Sequence, residues 1–84
     1  MPSGTRRPPG PLSRAIANVL SDALGDAGIG QSELGEVVGI SQSQLSKLLR
    51  AERALTIDEL DRICRALALD LVDVITRADS ARRP

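Results

Sequence analysis

The chain has 84 residues, enough for one small domain but too few for two domains or a large enclosed active site. Hydrophobic residues make up 42% of it and none is aromatic, which favours closely packed helices over a β-sandwich. The 11 basic residues balance the 11 acidic ones, and this neutrality argues against a general binder of polyanions.

The residue types present exclude several kinds of site. Histidine is absent and Cys64 is the only cysteine, which excludes a Cys/His zinc site, a disulfide framework and a His-based catalytic triad. No nucleophile and base can be paired from the other residues, so we expect a protein that is not an enzyme and has no cofactor or metal. No apolar run approaches the roughly 20 residues of a membrane span, and no signal peptide is evident. We therefore expect a cytoplasmic protein with no membrane partner.

The two ends of the chain differ from its middle. Residues 1–11 are rich in proline and glycine and are predicted to form a flexible arm. Apolar residues then recur at helical spacing from residue 12, and Gly28 follows where a C-terminal cap would end this first helix. Residues 79–84 lack periodic apolar side chains and are predicted to be a flexible tail. The folded domain is thus predicted to span residues 12–78.

Four further helix starts share one pattern: an apolar residue, a capping residue, two variable positions, an acid or amide, and another apolar residue. The capping positions are Gly30, Ser41, Thr56 and Asp70. The side chains of the last three would each accept a hydrogen bond from a backbone N–H, worth about 1 kcal/mol, whereas Gly30 has no side chain to cap with. The chain is therefore predicted to form an all-α bundle of five short helices.

Two features of the fourth predicted helix have structural explanations. Cys64 lies on its apolar stripe and is predicted to be a packed core thiol. Asp58, Glu59 and Asp61 lie near its start, where negative charge favours the helix dipole, so we do not expect a metal or catalytic site there.

Residues 31–50 contain two short predicted helices separated by a turn around Gly39. Two glycines meet separate steric demands: Gly35 allows a close helix crossing, and Gly39 permits the left-handed backbone of a sharp turn. This arrangement is the requirement of a helix-turn-helix. If the leucines of the third helix face the core, one outward face carries polar side chains and no acid, namely Gln42, Ser43, Ser46, Lys47 and Arg50.

That outward face suits the major groove of B-DNA. Gln42 could pair with the N6/N7 edge of adenine and Lys47 with the O6/N7 edge of guanine, while Ser43 is adaptable. An ordinary solvated helix face is the alternative interpretation of the same pattern.

The segment QSELGEVVGISQSQLSKLLR, together with LTIDELDRICRALALDLVDVI downstream, resembles the lambda-repressor and Cro-like (XRE-type) helix-turn-helix family. The resemblance spans roughly residues 12–75. The small residue, the turn glycine and the hydrophobic triad of the family correspond to Gly35, Gly39 and Ile40/Leu45/Leu48. It implies a compact five-helix lambda-repressor-like DNA-binding domain that inserts its third helix into the major groove of double-stranded operator DNA.

The resemblance also implies which side chains touch DNA. Base contacts are expected from the third helix, at Gln42, Ser43, Ser46 and Lys47. Phosphate contacts are expected from the start of the second helix and from the loop after the third, at Gln31, Arg50 and Arg53. The resemblance further implies that Gln31 holds the first base-contacting residue of the third helix in place. Arg6 and Arg7 in the arm could enter an adjacent minor groove, as such arms do in several DNA-binding folds, or serve only as solubilising charges.

This sequence departs from the family pattern at two places. Ala51 stands where the loop after the third helix usually carries glycine, which puts the local turn and its phosphate-facing amides in doubt. Leu24 and Leu49 stand where the family often has an arginine–glutamate ion pair, so an apolar contact is expected to replace it.

The predicted function is transcriptional regulation, as a repressor, by a sequence-specific binder of duplex DNA. A domain this small reads few base pairs, so we expect a homodimer on a pseudo-palindromic site. The predicted dimer surface is the last helix with Leu69, Leu71, Val72, Val74 and Ile75, although these residues could instead close the core. The competing hypothesis is a protein-interaction module, or an antitoxin-type regulator, that uses the same bundle to bind a protein partner.

Overall fold

The computed structural model describes residues 9–82, which form five helices and no strand. The helices are α1 (Pro11–Ala27), α2 (Gln31–Val38), α3 (Gln42–Leu49), α4 (Ile57–Ala66) and α5 (Leu71–Ala81). Helix α1 packs against α3 and α5, α2 packs against α3 and α4, and α4 also contacts α5. The predicted all-α bundle of five helices is thus confirmed.

The helix starts are fixed by side-chain caps as the sequence pattern predicts. Ser41 Oγ accepts a hydrogen bond from the backbone N–H of Gln44, and Asp70 Oδ1 accepts one from Asp73. Thr56 and Glu59 form a reciprocal capping box, with distances of 3.0 Å and 2.9 Å. Gly30, as expected, supplies no side-chain cap. These caps set the directions in which α3, α4 and α5 leave their turns.

The core is aliphatic throughout. Leucines, isoleucines and valines from all five helices meet in one cluster, and its most deeply buried large members include Leu20, Leu45, Ile63 and Val74. Cys64 is buried in the same cluster, as predicted, and burial raises the pKa of its thiol, with further contributions from Asp61 and Asp70. Leu24 and Leu49 are both buried there as well, which agrees with an apolar replacement of the family ion pair.

The turn between α2 and α3 depends on both predicted glycines. Gly39 adopts a left-handed conformation with φ 74°, and its N–H and that of Ile40 both donate to the carbonyl of Gly35. A Cβ on Gly35 would lie 2.7 Å from the carbonyl oxygen of Ile40 and 3.9 Å from the backbone nitrogen of Gln42. The close approach at Gly35 is therefore made by the backbone that leads into α3.

The loop after α3 makes a left-handed turn without a glycine. Ala51 itself adopts the left-handed conformation, with φ 58°. Its N–H donates to Leu48 O, and the N–H of Glu52 donates to Lys47 O at 2.8 Å. Ala68 ends α4 in the same way, with φ 56°. The left-handed turn therefore forms with alanine, at the cost of backbone strain.

The predicted boundaries change at the end of the chain. Helix α5 continues to Ala81, so residues 79–81 are helical and do not begin a flexible tail as predicted. Ala78 is fully buried one turn earlier, and Arg82 pairs with Asp79 at 2.8 Å, which together stabilise the last turn. At the other end α1 begins at Pro11, one residue before the predicted start.

The surface predicted for dimerisation is smaller than expected. Val74 is fully buried in the core and cannot contribute to it. Leu69, Leu71 and Ile75 are half-buried and pack against the core, because this face of α5 also closes the bundle. Val72, at 70% exposure, is the member of the predicted set that remains open to solvent.

Candidate nucleic-acid interface

Helix α3 has one buried face and one open polar face. Leu45, Leu48 and Leu49 are at most 4% exposed and fix the helix against the bundle. The opposite face carries Gln42, Ser43, Lys47 and Arg50, all exposed, with Ser46 half-buried between them. The predicted division of α3 into a core face and an outward face is therefore what the structure has.

The open face of α3 forms a groove together with the start of α2. Six side chains line it: Gln31, Gln42, Ser43, Ser46, Lys47 and Arg50. Gln31 belongs to the set because it is the first residue of α2, and the turn at Gly39 brings this helix end beside the start of α3. Two of the six are cationic and none is an acid, so the groove is locally positive on a chain of zero net charge.

Arg50 lies at the C-terminal end of this groove and has an acidic neighbour. Its Nε lies 3.3 Å from Oε2 of Glu52, and its Nη2 donates to Oε1 at 3.5 Å. Both side chains are more than half exposed, so the pair sits in solvent. Glu52 was not identified from the sequence, since an acid two positions after a basic residue in a loop has no diagnostic spacing.

Arg53 forms an ion pair with Glu59. Its Nη1 and Nη2 donate to the two carboxylate oxygens of Glu59 at 3.0 Å and 2.7 Å, and Nη1 also donates to Ala54 O. The side chain is 23% exposed and does not line the groove. In the structure Arg53 ties the loop after α3 to the start of α4, and its predicted phosphate contact stays a prediction.

The pKa values of Arg53 and Glu59 are shifted in the directions that an ion pair between them predicts. The hydrogen bonds from Arg53 lower the pKa of Glu59 against the opposing effect of burial, and those from Thr56 add to the lowering. The pKa of Arg53 is raised, first by its hydrogen bond to Glu59. Both groups therefore stay charged at neutral pH and hold the loop in place.

Two further side chains were predicted to contact DNA. Arg6 and Arg7 fall outside the described residues.

Within residues 9–82 no group of cysteine and acidic side chains is arranged to hold a metal ion. None of the helices described is long and apolar enough to cross a membrane.

A short helix that is held by buried leucines, follows a glycine turn and carries an open polar face is the second helix of a helix-turn-helix. The family model for Cro/C1-type helix-turn-helix DNA-binding domains matches residues 19–80, and the chain belongs to that family. This confirms the resemblance identified from residues 31–50 and the downstream helices.

Two crystal structures of the clp gene regulator ClgR from Corynebacterium glutamicum are similar to this chain. The first has a TM-score of 0.81 and 28% sequence identity, and the match covers 90% of this chain and 80% of the chain in that structure. The second has a TM-score of 0.79 and 27% sequence identity, and the match covers 87% of this chain and 95% of the chain in that structure. A comparison with curated protein sequences gives no match.

Proposed function

We propose that the protein is a transcriptional regulator that binds a specific duplex DNA sequence with α3 in the major groove. The observation that carries this proposal is the groove between α2 and α3, where polar and cationic side chains converge without an acid. Family membership supports DNA binding, and the similarity to a clp gene regulator supports a role in transcription. The residue inventory supports binding rather than catalysis.

The dimensions and chemistry of α3 fit the task. An α-helix with its side chains is about 10–12 Å wide, close to the major-groove width of about 12 Å. Gln42 and Ser43 occupy the first turn, where the recognition helices of helix-turn-helix proteins contact base edges. Lys47 projects one turn later from the same face and suits guanine, with Ser46 between the two turns.

Phosphate contacts are assigned to the two ends of the groove. Gln31 opens α2, whose first backbone N–H groups add a positive dipole end that suits a phosphate oxygen. Arg50 ends α3 and is exposed at the far end. Contacts of this kind position the protein on the duplex, while contacts to base edges select the sequence.

We further propose that two copies act together as a repressor. Helix α3 has eight residues, which is a length of about 12 Å and spans only a few base pairs. Useful specificity then calls for a homodimer on a pseudo-palindromic operator with half-sites about 34–36 Å apart. Exposed Val72 and the half-buried apolar residues beside it are the surface we assign to this contact.

Selection of bound duplexes from a random pool tests the proposal directly, since it reports binding, half-site spacing and symmetry together. Gln42→Ala should cost about 1–3 kcal/mol on the selected site and relax its sequence preference. Arg50→Ala should weaken binding to all duplexes about equally. Gln44→Ala is the matched control, because Gln44 is exposed on the same helix but does not line the groove, so its loss should change little.

A salt titration separates DNA binding from the competing hypothesis. A DNA complex should show a log–log slope of about −0.9 per phosphate neutralised. Binding of Gln42→Ala and Arg50→Ala at parental affinity would refute the site. Failure to select any duplex would refute the DNA-binding proposal and favour the protein-interaction module or antitoxin-type regulator.

A further inference from the structure

Arg50, the groove cation nearest the loop after α3, has an acidic neighbour. The guanidinium of Arg50 has the carboxylate of Glu52 beside it, with Nε to Oε2 at 3.3 Å and Nη2 to Oε1 at 3.5 Å. Both contacts use the Nε–Nη2 edge of the guanidinium, which is one of the edges that a phosphate oxygen can bind. A phosphate that approaches Arg50 therefore meets a negative charge already in place.

The position of Glu52 is set by backbone structure. Ala51 turns the chain in the left-handed conformation directly after Arg50, and the N–H of Glu52 donates to Lys47 O at 2.8 Å. This bond ties the backbone of Glu52 to the last turn of α3 and keeps the residue at the end of the groove. Its side chain is 51% exposed, so its charge is not needed to satisfy a buried partner.

Other ion pairs of the protein lie away from the groove. Arg65 pairs with Asp61 on α4 at 3.1 Å, and Arg77 pairs with Asp73 on α5 at 3.7 Å. Neither arginine lines the groove. The Arg50–Glu52 pair differs from them because its cation is one of the two that give the groove its positive charge.

We propose that Glu52 attenuates DNA binding: it competes with the phosphate for Arg50 and repels the backbone of any duplex that occupies the groove. This inference rests on the proposed function, since it concerns the strength of the same contact. The attenuation acts on phosphates, which are alike in every sequence. Glu52 therefore lowers affinity for operator and non-operator DNA together and shortens residence on non-specific sites.

The substitution Glu52→Gln tests this, because it removes the charge and keeps the shape of the side chain. Repulsion between two unit charges about 4 Å apart in water corresponds to about fivefold in affinity at low salt, and we expect a gain of that order. The salt dependence should also become steeper, by up to about 0.9 in the log–log slope, which a purely structural role of Glu52 would not produce.

Asp61→Asn is the matched control. It changes the net charge by the same amount and also releases an arginine from an exposed ion pair, but on α4, outside the groove. The affinities of parent and variants are measured by fluorescence anisotropy on a labelled selected duplex and on a scrambled duplex of the same length, at several salt concentrations. We expect Glu52→Gln to bind both duplexes more tightly than the parent and than Asp61→Asn.

A double-mutant cycle with Arg50→Ala locates the effect. In the Arg50→Ala background the Glu52→Gln gain should shrink, because the competition for the guanidinium is gone. Equal affinities for Glu52→Gln, Asp61→Asn and a parent that does bind DNA would overturn the inference and leave the proposed function standing. A parent that binds neither duplex overturns both. Circular dichroism confirms that each variant is folded.

Discussion

Gly35→Ala should destabilise the turn between α2 and α3. Among the described glycines, a Cβ added at Gly35 makes the shortest contact. The new Cβ would lie 2.7 Å from the carbonyl oxygen of Ile40, and this oxygen must retreat by 0.7 Å to reach the 3.4 Å where ordinary van der Waals contact begins. The obstacle is backbone that leads into α3, so no flexible side chain can rotate away. Overpacking of this kind costs typically 1–3 kcal/mol.

Gly25→Ala provides a control of the same chemistry. Gly25 lies inside α1, and nothing lies within 4 Å of its added Cβ. An alanine there should stabilise the protein by about 0.5–1 kcal/mol through helix propensity. The same substitution is thus expected to lower the stability of the protein at Gly35 and to raise it at Gly25.

Thermal unfolding followed by circular dichroism at the helical band measures both variants, since the chain has no aromatic residue for fluorescence. About 2 kcal/mol should lower the Tm of Gly35→Ala by roughly 8–16 °C, because 1 kcal/mol shifts a domain of this size by about 4–8 °C. DNA affinity should fall as well, since α3 shifts relative to Gln31. A Gly35→Ala protein with the parental Tm would refute the steric reasoning.

Three further predictions concern the two left-handed alanines and the Arg53–Glu59 pair. Ala51→Gly should stabilise the protein by up to about 1 kcal/mol, because a left-handed alanine costs about 1–2 kcal/mol and the greater chain entropy of unfolded glycine offsets part of that gain. A lower urea midpoint for the variant would contradict this. Ala68→Gly should have the same effect, since Ala68 is also left-handed. Glu59→Gln should destabilise at neutral pH by about 1–3 kcal/mol, since it breaks the bidentate pair with Arg53. The pKa of Glu59 is lowered on folding, so its contribution is present above its unfolded pKa and is lost as the pH falls through the folded pKa. The difference between parent and Glu59→Gln in urea midpoint should therefore shrink from pH 7 to pH 3, and a constant difference would argue against the ion pair.

Local signals in the sequence were sufficient to predict the helices and the outward face of α3. Caps such as Ser41 and Thr56 act on backbone groups within three residues, so their spacing alone specifies a helix start. Gly39 was predictable for a similar reason, since the left-handed conformation it adopts strongly favours glycine. The outward face of α3 followed from the period of its leucines.

Features that depend on several segments at once were not predictable. Ala51 adopts a conformation that alanine disfavours, because buried residues on both sides of the loop determine its path. Glu59 was recognised near the start of α4, but its carboxylate also holds Arg53, six positions away across the loop. Val74 was assigned to a dimer surface because hydrophobicity alone cannot distinguish a residue that closes the core from one that contacts a partner.

The two faces of α3 are chemically independent of one another. Its buried leucines pack it against the bundle, while the exposed side chains opposite them contribute little to folding. Substitution of those exposed side chains should therefore change the DNA sequence that the protein prefers and change its free energy of unfolding little. Duplicated copies of such a chain could diverge in the genes they control through very few substitutions, and the same scaffold is open to reprogramming by design.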